Sequence, residues 1–300
     1  MRKIRILTIG LLSVFLLFSS CSQLQEQIGS IKITDSDRQA LQRTGQAVRK
    51  SFSEITEEEE YYIGRAVAAL ILSRYPAYQN QELTRYVNQV GNAVAVYSGR
   101  PEIYAGYHFL VLDSPEINAL AAPGGFIFIT KGLLDKCRNE EMLGCVLAHE
   151  VGHVEAKHGL KAIKKSRLID AFKIIGQEAA RKYGTQELAE LTAVFENVLG
   201  DIAESLIERG YDRKYEYEAD KLGVEIALRT GYDPRGMTDF LQILASQEEG
   251  TGKGWFQTHP SASDRIERLE KFVSGYDAGT SGPGIRSGRF NRIAGRGSSH

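Results

Sequence analysis

Two histidines, His149 and His153, lie four residues apart with Glu150 between them, in an H-E-x-x-H pattern whose apolar neighbours recur at helical spacing. On one helix, residues at this spacing are rotated by about 40° and lie about 6 Å apart, so both imidazoles can bind one metal ion with Glu150 beside it as a base. The alternative is a pair of core histidines, but Glu150 would then be buried without a partner at a cost of several kcal/mol. The pattern therefore predicts a helix over 140–158 that carries a metal centre.

A catalytic zinc site needs a third protein ligand and an open fourth position, and the residues just after His153 do not supply that ligand. Some H-E-x-x-H zinc sites take a third histidine six residues after the second one, but that position here is Gly159. His158 lies about 180° around the same helix from His149, so it is expected on the surface. The third ligand is therefore expected from a different part of the chain.

An acidic pair with helical spacing, Glu216 and Asp220, offers that ligand. Both carboxylates share one helix face, so one can bind the metal while the other accepts the free N–H of a ligand imidazole. Glu218 is expected to point the other way, toward solvent. Spacing alone does not distinguish Glu216 from Glu204 or Glu208, and such an acidic pair is also typical of a solvated helix face.

The remaining sequence alternates helical patterns with short stretches of period two. This predicts an α+β domain that is mainly helical, with a small β-sheet beside the H-E-x-x-H helix. Thr56 begins a capping box before the first helix, and residues 161–209 contain two amphipathic stretches that are too polar to span a membrane. Further helices are predicted at about 82–97, 213–229, 234–246 and 261–273, and strands at about 105–112 and 126–130.

The strand and turn at 117–130 suggest a sheet edge near the metal centre. An extended peptide could add to such an edge as a further strand, because main-chain pairing needs no particular side chains. A strand pair with a purely structural role is the alternative. The residues expected at this substrate edge are Asn118, Ala119, Pro123, Gly124 and Gly125.

The first twenty residues differ from the rest of the chain, because a cationic start is followed by a short apolar run and small residues before Cys21. This predicts a secretory signal over 1–20 and resembles a bacterial lipobox, in which Cys21 is lipidated and becomes the new N-terminus. An ordinary signal peptide with Cys21 as a bystander is the alternative. Residues 21–54 are then a tether, 55–274 the folded domain and 275–300 a flexible Gly/Ser/Arg tail.

The composition excludes several classes of protein. With 42% hydrophobic residues, 25% charged residues and a formal net charge of −1, the chain is neither disordered nor a membrane bundle. It has no basic block that would bind nucleic acid. Cys137 and Cys145 are too far apart on one helix for a disulfide, so both are expected as buried thiols, with Cys145 a weaker candidate zinc ligand than the histidines.

Several motifs along residues 55–272 resemble those of the M48 family of zinc metallopeptidases. The chain is most similar to the lipoprotein or periplasmic branch of that family, without membrane spans or a C-terminal repeat domain. The motifs are H-E-x-x-H, E-x-x-x-D from Glu216, Asn118 to Gly125, Lys131-Gly132-Leu133-Leu134, Thr258-His259-Pro260 and Arg265-Ile266.

The resemblance implies a zincin-type metallopeptidase domain with one Zn²⁺ per chain. It makes Glu150 the catalytic acid/base and Asp220 the partner of a ligand imidazole. His259 would approach the zinc from a C-terminal loop and assist or cap the site. Arg265 or Arg213 would hold the carboxylates, unless either forms a surface ion pair. The implied zinc ligands are His149, His153 and Glu216.

The resemblance predicts a zinc-dependent endopeptidase that hydrolyses peptide bonds of unfolded or misassembled envelope proteins, with Glu150 assisting the attack of a zinc-bound water. We expect a lipid-anchored protein of the bacterial envelope, at the outer membrane facing the periplasm, with outer-membrane assembly machinery as a further partner. No phosphate-binding G-x-x-x-x-G-K-[ST] loop is present, so ATP is not expected as a partner. The alternatives are a zinc-stabilised lipoprotein holdase or assembly factor with a latent, capped site, and a zinc hydrolase of peptidoglycan or another non-protein amide.

Overall fold

The computed structural model describes residues 55–162, 199–200, 203–246, 259, 262–275 and 283–295. The predicted signal, Cys21 and the tether lie outside the described residues, as does most of the predicted helical region at 161–209. Within the described ranges, no helix is both long enough and apolar enough to cross a bilayer.

The strands of the described residues form a three-stranded sheet of β1 (His108–Leu112), β2 (Ala119–Ala122) and β3 (Phe126–Thr130), in the order β1-β3-β2. β1 runs parallel to β3, and β2 runs antiparallel to it. The side-chain amide of Asn88 accepts from the N–H of Phe109 at 3.2 Å and donates to its carbonyl oxygen at 2.5 Å, which covers the outer edge of β1. β2 is therefore the edge at which another strand could pair.

The predicted helices occur in the expected order, with additional helices at Lys131–Lys136 and Pro283–Ile293. The α+β fold, mainly helical with a small sheet, is confirmed. Thr56 and Glu59 form the predicted capping box of the first helix. The H-E-x-x-H helix begins after Asn139, whose side chain accepts from the N–H of Met142 at 2.9 Å. The helices are α1 (Glu57–Arg74), α2 (Gln81–Ala95), α3 (Lys131–Lys136), α4 (Glu140–Glu155), α5 (His158–Ala162), α6 (Arg213–Thr230), α7 (Arg235–Ala245), α8 (Ala262–Val273) and α9 (Pro283–Ile293), with a 3₁₀ turn at Pro123–Gly125 and a π turn at Ser205–Arg209.

The H-E-x-x-H helix is shorter than the predicted 140–158. α4 ends at Glu155, and Lys157 has a φ of 55°, in the left-handed region, before α5 begins at His158. The chain therefore changes direction at Lys157. His158 does not continue the helix of His149, so helical rotation cannot be used to place it on the surface.

The sheet lies between two apolar cores. One face, which includes Phe109 and Ile127, packs against α2 and α4. The other face, which includes Leu120 and Phe128, packs against α1 and the residues near Leu206. Because α4 is buried almost throughout its length, the motif on it lies in the interior of the protein.

α4 and α6 approach each other closely because each has a glycine at the contact. A Cβ at Gly223 would lie 3.1 Å from the backbone of His149, and a Cβ at Gly152 would lie 3.1 Å from the carbonyl oxygen of Ala219. Both distances are shorter than the 3.4–4 Å of an ordinary van der Waals contact. The glycines thus allow α6 to bring its acidic pair against the histidines of α4.

The predicted flexible tail over 275–300 is wrong for α9. Phe290 of α9 is fully buried and lies against Tyr86, with ring centroids 6.4 Å apart. Arg289 pairs with Glu140, a buried residue at the start of α4 that also accepts from the Tyr86 hydroxyl at 2.8 Å. The Gly- and Arg-rich sequence forms a packed helix here because it supplies the counter-charge that a buried carboxylate requires.

Gly64 of α1 contacts the Pro123–Gly125 turn so closely that any side chain would overlap the carbonyl oxygen of Pro123. We expect Gly64→Ala to destabilise the protein by about 1–3 kcal/mol, because backbone must move to accommodate the methyl group. The matched control is Gly288→Ala in α9, where nothing lies within 4 Å of a Cβ and a better helix former should stabilise by up to about 1 kcal/mol. Urea unfolding followed by circular dichroism measures both, and a Gly64→Ala variant as stable as wild type would contradict the contact.

Candidate metal centre

α4 places the two histidines of the motif side by side in the interior. His149 and His153 are each 1% exposed, and their Nε2 atoms lie 3.1 Å apart. The two rings meet edge to face with centroids 4.7 Å apart. The helical spacing thus turns both imidazoles toward one point.

Glu216 reaches the same point from α6. Its carboxylate oxygens lie 3.5 Å from Nε2 of His149 and 3.4 Å from Nε2 of His153, and the residue is fully buried. Glu204 and Glu208, which spacing alone could not exclude, have side chains that are about half exposed and pair with arginines. Among the three glutamates, the structure brings Glu216 to the histidines.

The three side chains fit a divalent metal ion. Both oxygens of Glu216 are buried, yet neither accepts a hydrogen bond from the described residues, and a bound cation would satisfy them. Tetrahedral zinc with bonds of about 2.1 Å separates its ligand atoms by about 3.4 Å. The corresponding separations here are 3.1, 3.4 and 3.5 Å. The donor types, imidazole nitrogen and carboxylate oxygen, are also those that zinc accepts.

His149 is held at its other nitrogen by an acidic residue and an arginine. Oδ1 of Asp220 lies 3.1 Å from Nδ1 of His149. Arg265 of α8 is fully buried and donates to both oxygens of Asp220, at 2.9 Å and 2.6 Å. Arg213, the alternative, has an exposed side chain 3.9 Å from Asp264. The structure therefore places Arg265, and not Arg213, at the candidate site.

The charges around the cluster keep its two acidic residues ionised. Burial opposes ionisation of Glu216, but the three surrounding imidazoles outweigh it and hold its pKa well below the usual range. Burial is also outweighed at Asp220, where Arg265 and His149 lower the pKa to about 2. Both groups are therefore carboxylates, which is the form that attracts a cation.

Glu150 lies beside the cluster in a different electrostatic environment. Its side chain is buried, and its Oε1 accepts no hydrogen bond from the described residues. Burial raises the pKa of Glu150 to about 7. Burial also lowers the pKa of His153 to about 4 and that of His259 to about 3. Burial opposes ionisation of His149 as well, but the adjacent carboxylates of Asp220 and Glu216 outweigh it and raise its pKa to about 9. A carboxylate with an uncommitted oxygen and a pKa near neutrality has the properties of a general base.

His158 was expected on the surface, and this expectation is wrong because the residue is fully buried. Its Nδ1 lies 2.9 Å from Nδ1 of His153, and its Nε2 lies 3.1 Å from Oε2 of Glu218. The cause is the change of chain direction at Lys157. Glu218 does reach solvent as expected, with a side chain 47% exposed, but it also binds His158.

His259 completes a group of four buried residues that could hold a metal ion. Together with His149, His153 and Glu216, it offers ligand atoms that all lie within 4.8 Å of one another. Its Nε2 lies 3.8 Å from Glu216 and 3.9 Å from Glu150. A fourth protein ligand would take the position that a catalytic zinc keeps open for water.

The edge of β2 borders this cluster, and Tyr211 occupies part of it. The Tyr211 hydroxyl donates to the carbonyl oxygen of Ala121 at 2.8 Å, and its ring stacks on His153 with centroids 4.3 Å apart. Tyr211 is absent from the sequence prediction, since a lone aromatic residue before a helix carries no specific signal. A narrow cavity at this edge is lined by Ala119, Leu120, Ala121, Glu150, Leu206, Gly210, Tyr211 and His259.

Most of the predicted substrate edge lies outside this cavity. The N–H of Asn118 donates to the Thr130 hydroxyl at 3.0 Å, within the sheet. The Pro123–Gly125 turn packs against α1, where the N–H of Gly124 lies 3.3 Å from a carboxylate oxygen of Glu60. Of the five residues predicted there, Ala119 lines the cavity.

Cys137 and Cys145 are buried thiols, as predicted. The Cys145 thiol donates to the carbonyl oxygen of Asp233 at 3.2 Å, and burial raises its pKa above the usual range. Cys145 is not among the four residues whose ligand atoms converge.

Comparison with known proteins places this chain in a family. Residues 81–273 match the sequence model of peptidase family M48. The chain is 26% identical over 236 residues to mitochondrial metalloendopeptidase OMA1 of Schizosaccharomyces pombe. The aligned region covers 75% of this chain and 64% of that protein. It is 26% identical over 211 residues to the beta-barrel assembly-enhancing protease of Yersinia pestis, covering 70% of this chain and 43% of that protein. It is also 26% identical over 244 residues to metalloprotease YcaL of Escherichia coli, covering 81% of this chain and 83% of that protein.

Two histidines and a glutamate that converge beside a second, buried glutamate define a metallopeptidase type of site. The chain belongs to peptidase family M48, which confirms the resemblance seen in its motifs. Members of this family bind a metal, usually zinc. The chain spans less than two thirds of the length of the first two of these relatives.

Proposed function

We propose that this chain is a zinc-dependent endopeptidase that cleaves unfolded or misassembled proteins of the bacterial envelope. The observation that carries the proposal is the convergence of His149, His153 and Glu216 on one point beside the buried Glu150. Membership of the M48 family supports peptide-bond hydrolysis as the reaction. The donor set supports zinc as the metal.

The residues that would hold the ion differ from the residue that moves protons. Bound by His149, His153 and Glu216, zinc would supply a Lewis acid for the scissile carbonyl and lower the pKa of water. Glu150 takes the proton of the attacking water and returns it to the leaving amine, since its Oε1 is uncommitted. Asp220 accepts from Nδ1 of His149 and so keeps Nε2 directed at the ion.

The edge of β2 supports an extended substrate. Ala121 directs its carbonyl away from β3, where Tyr211 binds it, and Ala119 faces the same side because backbone groups two residues apart do so. Pairing with these groups reads the main chain and tolerates many side chains, which suits unfolded proteins. Tyr211 must leave the Ala121 carbonyl before a strand can pair along the whole edge.

The proposed location rests on the start of the chain and on one relative. The predicted signal and the lipidated Cys21 would anchor the protein at the outer membrane, facing the periplasm. A similar protein from Yersinia pestis is named a beta-barrel assembly-enhancing protease. By this likeness we propose misassembled envelope proteins as substrates and the outer-membrane assembly machinery as a partner.

His259 controls how open the site is. We expect His259→Ala to raise the rate of casein cleavage by the zinc-loaded protein several-fold and to weaken zinc binding, because the variant removes a fourth ligand and opens its position to water. Release of labelled peptides and competition with a chelator measure the two effects. His108→Ala, at an exposed histidine on β1, is the matched control and should change neither. Slower cleavage by His259→Ala would show that His259 assists the reaction and does not cap the site.

A zinc-stabilised holdase with a capped site is the second candidate, and the position of His259 in the ligand group favours it. Zinc removal separates the two functions. The protease loses casein cleavage without the metal, whereas a holdase that keeps its fold still suppresses the aggregation of an unfolded protein. If zinc-loaded wild type and His259→Ala both leave casein intact, the endopeptidase is contradicted.

A further inference from the structure

We propose that His158 is a positioning residue for the metal centre. His158 accepts a hydrogen bond from Nδ1 of His153 and thereby directs Nε2 of His153 at the ion. Glu218 in turn orients His158. This inference rests on the proposed metal-dependent function and concerns the affinity of the site for its metal.

The direction of each hydrogen bond follows from the side that faces the ligand cluster. Nε2 of His153 lies 3.4 Å from Glu216 and 3.1 Å from Nε2 of His149, so Nε2 is the nitrogen that would bind the ion through its lone pair. The proton of a neutral His153 is then on Nδ1, which must donate to Nδ1 of His158 at 2.9 Å. His158 therefore carries its own proton on Nε2 and donates it to Glu218 at 3.1 Å.

The surroundings leave His158 little freedom to adopt another arrangement. The residue is fully buried, and its ring stacks on that of Tyr215 with centroids 4.5 Å apart and an interplanar angle of 29°. His153 is confined in the same way by the ring of Tyr211. An acceptor held this rigidly orients its partner at little further cost in conformational entropy.

Each histidine of the H-E-x-x-H motif thus has its own acceptor. His149 uses Asp220, which is buried and held by Arg265. His153 uses His158, whose outer partner Glu218 is 47% exposed. Because Glu218 reaches solvent, water can replace its carboxylate as the acceptor for Nε2 of His158. The Nδ1 of His153 is buried, so no water can take the place of His158 as its acceptor. We therefore expect His158 to contribute more to metal affinity than Glu218.

The test measures zinc affinity of the full chain at one pH by competition with a chromophoric chelator. His158→Leu removes the acceptor with a similar side-chain volume, and we expect zinc affinity to fall about 10- to 100-fold, the usual effect of losing such a partner. His158→Asn keeps an acceptor oxygen at the position of Nδ1 and should restore affinity to within a few-fold of wild type. Glu218→Ala should lower it a few-fold. His108→Leu, the same exchange at an exposed histidine, should leave it unchanged.

A folded His158→Leu variant with wild-type zinc affinity would overturn the inference and leave the proposed function standing. A wild-type chain that binds no zinc would overturn the proposed function and the inference with it. A second measurement does not depend on the folding of any variant: ¹⁵N spectra of histidine-labelled, zinc-loaded wild type should show His158 protonated at Nε2. Protonation of His158 at Nδ1 would overturn the inference, because that nitrogen could not accept.

Discussion

Glu150→Gln is expected to lose casein cleavage by about 10²- to 10⁴-fold, the usual contribution of a general acid or base. The amide has the same size and shape as the carboxyl group but cannot take a proton from water. Glu150 Oε1 accepts no hydrogen bond from the described residues, so the exchange breaks no such contact at that oxygen. Zinc affinity should change little, because the converging ligand atoms belong to other residues.

Cleavage of labelled casein by zinc-loaded protein, together with the zinc content of each sample, measures this prediction. Glu155→Gln is the matched control on the same helix. Glu155 accepts from the N–H of Gly99 at 2.7 Å, and the amide oxygen of glutamine can accept the same bond. Its activity should equal that of wild type. Equal activity in Glu150→Gln would contradict the proposed mechanism.

Arg265→Met is expected to lower the free energy of unfolding by about 3–5 kcal/mol, the typical cost of removing one partner of a buried ion pair. Arg265 is fully buried and binds both oxygens of Asp220, with Glu216 3.5 Å from its Nη1. Methionine fills much of the same space but leaves two buried carboxylates without their cation. The loss should also weaken zinc binding, since Asp220 orients His149.

Urea unfolding in the presence of a chelator measures the stability term without a contribution from the metal. Arg213→Met is the matched control, because Arg213 is exposed and lies 3.9 Å from its partner Asp264. Its unfolding midpoint should equal that of wild type. If Arg265→Met unfolds at the same midpoint as the control, the buried ion pair does not stabilise the fold.

The parts of the site that could be predicted from the sequence depend on local geometry. Helical spacing alone brings His149 and His153 to one point, and the Thr56 capping box starts a helix through contacts within one turn. Glu216 comes from another helix, so spacing could not separate it from Glu204 and Glu208. Its selection required the resemblance to the M48 family, and the structure agrees by burying Glu216 and exposing the others.

The features that could not be predicted depend on contacts between distant parts of the chain or on an unusual backbone. The left-handed φ of Lys157 carries no glycine signal, so His158 was assigned to a continuous helix and to the wrong environment. α9 resembles a tail in sequence because its composition is rich in Gly and Arg. Its packing depends on contacts with distant residues, such as the buried Glu140 of α4, which pairs with Arg289. Tyr211 gains its role from Ala121, ninety residues away in the sequence.

The glycines at the contact between α4 and α6 determine how this site can change during evolution. Gly152 and Gly223 bring one helix against the backbone of the other, so the distance between the ligand-bearing helices depends on main-chain contact at these two positions. An added methyl group at either position requires the facing helix to shift by a few tenths of an ångström. We therefore expect larger side chains to be selected against at Gly152 and Gly223, because they would move Glu216 relative to the histidines.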